Sequence, residues 1–153
     1  MPVNAMKIEE LSGADNPEAS LTMSKKLFVD FGENNSDSRG HQTSGADGNG
    51  NYWNNVYCQS DNVIANADYD LVDAGNNATS FKLNVPDGFK TNGMSGGGGL
   101  TSPSSDYLGD LAIATATEDY AFLETATDIQ MTFSGLDKQK CYRFYFFGSR
   151  SAG

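Results

Sequence analysis

The chain has 153 residues, with 20 acidic against 10 basic side chains and a formal net charge of -10. This length fits one domain with a substantial core. The acidic balance repels phosphate backbones and anionic membrane surfaces, and no stretch approaches the roughly 18 apolar residues of a membrane helix. We therefore expect no nucleic-acid partner and no membrane insertion.

The first 25 residues are expected to be a lead-in or linker, with one helical turn at residues 16–19 that Asn16 caps. The folded module is expected over residues 26–153. Met1 to Lys26 lacks the basic and apolar regions of a secretory leader. If the protein is exported, its leader is absent from this chain.

Alternating apolar residues predict strands through the middle of the chain. Residues 27–31 place Leu27, Val29 and Phe31 on one face, against the core, and Phe28 on the other. Gly- and Asn-rich segments between strands are typical of loops. The remaining predicted elements here are strands at 52–57, 69–72 and 81–85, an exposed loop at 32–51 and a flexible loop at 93–105.

The last third of the chain contains an ambiguous segment and two strands. Residues 112–123 are expected to be irregular with a short helical turn, and residues 129–133 form a half-buried strand. Residues 141–147 are apolar on both faces, which predicts a central strand. The other strands leave part of its surface bare. We therefore expect the sandwich to be completed beyond Gly153, by a further domain or by a second chain, and the chain alone to be oligomeric or poorly soluble.

Cys58 and Cys141 both lie within predicted strands among apolar neighbours. They are interpreted as two buried thiols or as one disulfide, and this choice leaves the cellular compartment open.

Four blocks of the sequence resemble a family of modules in secreted multidomain proteins of Bacteroidetes and related bacteria. The blocks are Asp30-Phe31-Gly32, Trp53-Asn54-Asn55, residues 116–120 and residues 135–150, which end in Phe-Phe-Gly-Ser-Arg. The resemblance spans about residues 26–150. It implies an all-β fold, an antiparallel β-sandwich of the jelly-roll, galactose-binding-like type with long Gly/Asn-rich loops. It also implies a secreted or cell-surface location and further strands after the last block.

No catalytic centre is recognisable in the sequence. A serine hydrolase needs a nucleophile and a base within hydrogen-bond reach. The only histidine, His41, lies in a Gly-rich loop, and Gly109-Asp110 is followed by Leu111 where a serine would be required. We therefore expect a noncatalytic module.

A candidate glycan site combines the sole tryptophan, Trp53, with Asn54 and Asn55, and with Asp119 and Arg150 from the other family blocks. Sugar rings stack on exposed aromatic faces, and Asn and Asp side chains bind hydroxyls. The alternatives are that Trp53 belongs to the core and that Arg150 forms an ion pair with Asp119.

Asp47, Asn49 and Asn51 place oxygen-bearing side chains two residues apart, as loops that bind hard cations do. Tyr52 replaces the glycine of such a loop and Cys58 its bidentate glutamate. A calcium site and a simple polar turn are both retained as interpretations.

These observations favour a noncatalytic carbohydrate-associated or carbohydrate-binding module of an exported bacterial multidomain protein, with a polysaccharide or glycan as its ligand. The alternative is a structural or adhesive cell-surface module without a sugar ligand. A further alternative is an accessory part of an esterase or polysaccharide-degrading enzyme.

Overall fold

A computed structural model describes residues 2–12, 22–34, 39–58, 63–86, 88–93, 98–124 and 130–150. These residues form an all-β, sandwich-like fold with two one-turn α-helices and a 3-10 turn. The strands are β1 (Ala5–Ser12), β2 (Thr22–Gly32), β3 (Asn54–Tyr57), β4 (Val63–Ile64), β5 (Ala67–Val72), β6 (Ala78–Val85), β7 (Phe89–Asn92), β8 (Tyr120–Leu123), β9 (Thr132–Ser134) and β10 (Cys141–Phe147). The helical elements are α1 (Ser105–Leu108), the 3-10 turn (Gly109–Leu111) and α2 (Ala114–Thr117).

The strands form three sheets, in the orders β10-β1-β2-β3, β4-β7-β8 and β5-β6-β9. All pairs of neighbouring strands are antiparallel except β2 and β3, which run parallel with Val29 opposite Asn54. The predicted antiparallel all-β architecture is confirmed at this level.

The main core lies on one face of the four-stranded sheet. The side chains of Leu27, Val29 and Phe31 are fully buried there, as their alternation predicts. Apolar residues of the two three-stranded sheets pack against them and remove this surface from water, which is the main driving force for folding. The facing residues are Ile64, Leu71, Phe81, Leu83, Val85, Phe89 and Ala121.

A second, smaller apolar cluster lies on the opposite face of the same sheet. It joins Ala5, Phe28 and Trp53 to Leu111 and Ala116 of the helical segment. The four-stranded sheet is therefore covered on both faces, and β2 is buried at both sets of alternate positions. The helical turn expected within residues 112–123 is confirmed as α2, but the expectation that the rest of this segment is irregular is wrong for residues 120–123, which form β8.

The prediction that residues 1–25 form a lead-in is wrong for β1. This strand pairs with β2 on one side and with β10 on the other. Met6 and Ile8 are fully buried, whereas Lys7 and Glu9 between them are half-buried. Met6 and Ile8 alternate with the charged residues Lys7 and Glu9, so the apolar pattern is short and easily missed in the sequence. Its central position follows from pairing with β2 and β10. The helical turn predicted at 16–19 lies outside the described residues.

Residues 141–147 form the predicted strand, β10, but it is not central in the described part of the chain. The expected completion of the sandwich beyond Gly153 or by a second chain stays a prediction. Among the described strands β10 pairs with β1 alone, so it lies at the edge of its sheet. Phe146 is 61% exposed, and Phe144 and Tyr145 are each 38% exposed.

Both cysteines are free thiols in the structure, so they do not form the disulfide retained as an alternative. Cys58 is half-buried. Cys141 is exposed, contrary to the expected burial, because it begins the edge strand β10. No helix in the described part of the chain is long and apolar enough to cross a membrane.

Candidate functional site

Four carboxylates are buried together where β2 ends and where α2 leads into β8. This acid cluster consists of Asp30, Glu33, Glu118 and Asp119, each at most 7% exposed. Carboxylates are seldom buried without partners, because burial removes the water that solvates the charge. The acid cluster is therefore the part of the buried interior whose residues need hydrogen-bond partners as well as apolar packing.

Three of these carboxylates accept hydrogen bonds from the backbone of the segment that follows β2. These bonds tie the loop to the body of the sandwich. The three bonds run from Glu33 N to Asp119 Oδ2 at 2.7 Å, from His41 N to Glu118 Oε1 at 3.0 Å and from Thr43 N to Asp30 Oδ2 at 2.8 Å.

The expectation of an exposed loop over residues 32–51 is therefore wrong for part of it. Glu33 is 6% exposed, Thr43 is 4% exposed and Gly40 is buried. A Cβ atom at Gly32 or Gly40 would overlap the Asp119 carboxylate, and Gly40 has a φ of +135°. Glycine at these two positions lets the backbone close around Asp119.

Glu33 and Glu118 have side-chain partners within the fold. Glu33 Oε1 accepts from Thr91 Oγ1 at 2.9 Å and lies 3.3 Å from Arg39 Nη2. Glu33 Oε2 accepts from Cys58 Sγ at 3.1 Å, and Glu118 Oε1 lies 2.9 Å from His41 Nδ1. These contacts lower the cost of burying two of the four carboxylates.

Asp30 and Asp119 are less well compensated. Oδ1 of each is buried and has no hydrogen-bond partner among the described residues. Burial, followed by the negative charge of Asp30, raises the pKa of Asp119 to about 10. Burial likewise raises the pKa of Asp30 to about 7. Asp119 is therefore protonated at neutral pH, and the four acids together carry less than four negative charges.

Trp53 lies in the second apolar cluster and is 6% exposed. Its ring stacks on Phe28, with centroids 4.7 Å apart and planes inclined by 27°. Its Nε1 donates to Asp47 Oδ2 at 2.8 Å. The structure thus gives this tryptophan a core role, the alternative retained in the sequence analysis, and leaves no open ring face for a sugar.

Asn54 and Asn55 bind the protein's own backbone. Asn54 Nδ2 donates to the carbonyls of Phe28 and Val72, and its Oδ1 accepts from Val72 N at 2.8 Å. Asn55 Nδ2 donates to the carbonyl of Thr43 at 3.1 Å. Both amides therefore join neighbouring segments.

Asp47 organises a turn and does not present an open pair of oxygens. Its Oδ1 accepts from the backbone N–H groups of Asn49 and Asn51 at 2.8 and 2.9 Å. Its Oδ2 is occupied by Trp53 Nε1. Both Asp47 oxygens that a calcium ion would need thus accept hydrogen bonds from N–H groups. This geometry supports a polar turn rather than a calcium site at Asp47, Asn49 and Asn51. The described residues contain no group of three His, Cys, Asp or Glu side chains placed to hold a metal.

Asp119 and Arg150 do not form the expected ion pair. Asp119 is fully buried beneath the loop, whereas Arg150 is exposed beyond the end of β10. The structure therefore does not bring the five predicted glycan-site residues together on an accessible surface. Sequence reasoning missed Asp30, Glu33 and Glu118. The available signal was Asp30 itself, an acidic residue within an apolar strand.

An open groove of about 390 Å³ adjoins the acid cluster. We call it the polar groove. It lies between residues 42–48 and residues 112–115, and the hydroxyls of Thr43 and Thr115 are 2.7 Å apart beside it. Asp47 is the sole ionisable side chain among its lining residues. The lining is formed by Gln42, Thr43, Ser44, Asp47, Gly48, Ala112, Ile113, Ala114 and Thr115.

Comparisons of the chain with protein-family models, curated proteins and solved structures found no match. The resemblance to Bacteroidetes modules therefore stays a prediction based on the sequence blocks.

Proposed function

We propose that this chain is a noncatalytic, galactose-binding-like jelly-roll module of an exported bacterial protein, and that it binds carbohydrate in the polar groove. The observation that carries the proposal is the groove beside a loop held by buried carboxylates. Small-ligand sites combine apolar lining with a few fixed polar groups. Here Gln42 and Ser44 offer hydrogen-bonding groups, and Ile113 offers an apolar surface for the C–H face of a sugar.

The anchoring of the loop supports binding in this groove. Thr43 N is held by Asp30 and the Thr43 carbonyl by Asn55, so one wall is fixed before a ligand arrives. A preorganised wall lowers the entropy lost on binding. The buried acids and Asn55 would thus act as positioning residues for the groove.

The distribution of ionisable groups supports a noncatalytic role. General acid–base catalysis requires a titrating group within hydrogen-bond reach of the substrate. The two aspartates with raised pKa values, Asp30 and Asp119, are 3% and 0% exposed. The one ionisable group in the groove, Asp47, is engaged by its own turn.

A structural or adhesive module without a sugar ligand is the second candidate. The internal roles of Trp53, Asn54 and Asn55 favour it, because the residues expected to bind a glycan instead stabilise the sandwich.

Filling the groove separates the two candidates. Ala114 is exposed and lines the groove, so Ala114→Tyr should weaken polysaccharide binding about tenfold or more, equivalent to about 1.4 kcal/mol. Ala78→Tyr, at an exposed position of β6, is the matched control and should bind like the wild type. Affinity gel electrophoresis against plant, algal and host polysaccharides measures this. If no polysaccharide retards the wild-type protein, the structural module is favoured. Retardation that Ala114→Tyr leaves unchanged would place the sugar elsewhere.

A further inference from the structure

Two aromatic side chains on β10, Phe144 and Phe146, face the core side of the sheet but are only partly covered. In the register of β1 and β10, Phe146 lies opposite Met6 and Phe144 lies opposite Ile8. Opposed residues in neighbouring strands share a face. Met6 and Ile8 are fully buried, yet Phe144 is 38% and Phe146 is 61% exposed.

The reason for this exposure is the limited width of the opposing sheet. Its edge strand β9 places Phe133 against Phe144, with ring centroids 5.5 Å apart. Phe146 lies instead at an apolar groove of about 370 Å³. Phe31, a fully buried core residue, lines the same groove, so the core surface continues to the outside here. The lining residues are Pro2, Val3, Phe31, Met131, Phe146, Phe147 and Gly148.

The outer edge of β10 has no partner strand in the described part of the chain. An edge strand presents a row of unpaired N–H and C=O groups that can pair with another extended segment. The edge of β10 therefore presents unpaired backbone N–H and C=O groups next to the partly exposed side chains of Phe144 and Phe146. These are the two components of recognition by strand addition.

The charge on this edge differs in sign from that of the whole chain. Two of the three arginines, Arg143 and Arg150, lie on or just after β10, and both are exposed. Glu9, opposite Arg143, is held by Lys7 Nζ at 3.0 Å and by the Tyr145 hydroxyl at 3.1 Å. No ion pair to either arginine occurs among the residues that the structure describes.

We propose that β10 binds an extended acidic segment of another polypeptide by strand addition. Side chains of an added strand alternate between the two faces. Its apolar residues would therefore cover Phe144 and Phe146 on the core side, and an acidic residue would face Arg143 on the other side. A second copy of this chain fits less well, because pairing through β10 would bring the positively charged Arg143 and Arg150 of both copies to the same contact.

The test uses the full chain and two fluorescently labelled, end-capped octapeptides. One alternates Glu with Val, and the other alternates Lys with Val. By fluorescence anisotropy, the Glu peptide should bind at least about tenfold more tightly than the Lys peptide. Phe146→Ser and Arg143→Glu should each weaken its binding about tenfold. Tyr107→Ser, at an 89% exposed position of α1, is the control and should not change it.

Several results would overturn the proposal. Equal affinity for the two peptides, or binding of neither, would remove the acidic strand as the ligand. Binding lost in Arg143→Glu but kept in Phe146→Ser would reduce the contact to charge attraction. A dimer seen by light scattering that Phe146→Ser dissociates would assign the edge to a second copy. Thermal unfolding midpoints within a few degrees of the wild type show that each variant is folded. If Phe146→Ser does not fold, Arg143→Glu still tests whether β10 binds the peptide.

Discussion

Trp53→Ala is expected to destabilise the protein by about 3 to 5 kcal/mol. The wild-type ring is buried against Phe28, and its N–H is bonded to Asp47, which organises the neighbouring turn. Truncation leaves a cavity in the second apolar cluster and removes a donor from a carboxylate. Chemical denaturation, followed by far-UV circular dichroism, measures the loss.

Two further variants separate the contributions of the Trp53 side chain. Trp53→Phe keeps an aromatic ring but removes the donor to Asp47, and should cost about 1 to 3 kcal/mol. Tyr107→Ala removes an aromatic side chain that is 89% exposed and should change stability by less than about 0.5 kcal/mol. A Trp53→Ala protein as stable as the wild type would contradict the core role and reopen the question of a binding face.

The second large effect is expected in the pH dependence of stability. The pKa of Asp119 is raised from 3.8 to about 10 in the folded protein, and that of Asp30 from 3.8 to about 7. Between pH 3.8 and about pH 10, the folded state therefore binds more protons than the unfolded state. The resulting stabilisation is complete below pH 3.8 and is lost as the pH rises through about 7 and toward about 10. One extra bound proton gives a slope of about 1.4 kcal/mol per pH unit.

Asp119→Asn isolates this contribution, because the amide is neutral and its oxygen still accepts from Glu33 N. The wild type should lose stability between about pH 5 and pH 9, whereas the variant should lose less. Asp106→Asn, at an exposed position of α1, is the control and should follow the wild-type slope. Denaturant unfolding midpoints of the three proteins, measured between about pH 5 and pH 9, give these slopes. Parallel slopes for Asp119→Asn and the wild type would show that Asp119 is not the group responsible.

The strands whose apolar residues alternate were predictable from the sequence alone. Leu27, Val29 and Phe31 face one side, and Phe81 with Leu83 repeat the pattern; all five are buried. The period of two residues is a local property of an extended chain, so it survives without knowledge of the neighbouring strands. The acidic balance, the turn-forming loops and the absence of a recognisable triad are likewise properties of the residues themselves.

The position of each strand in its sheet was decided by the tertiary structure. β1 and β10 show the difference most clearly: a segment with charged residues is central, and the most aromatic segment is at the edge. Which strands become neighbours depends on contacts between distant parts of the chain. Leu11 pairs with Cys141 and Ala5 pairs with Phe147, so the paired residues are 130 to 142 positions apart in the sequence, and no local pattern signals their pairing.

Three buried side chains could not be predicted from the sequence as buried: Asp30, Asp119 and Trp53. A carboxylate or an indole can lie in solvent or inside, depending on whether partners such as Glu33 N or Asp47 are brought to it. Backbone preference and side-chain period act over a few residues, so the alternating strands around residues 27–31 and 81–85 were predictable from the sequence, whereas β1 and β8 were not. The tertiary structure alone decided which polar groups are enclosed, because enclosure requires hydrogen-bond partners from remote segments.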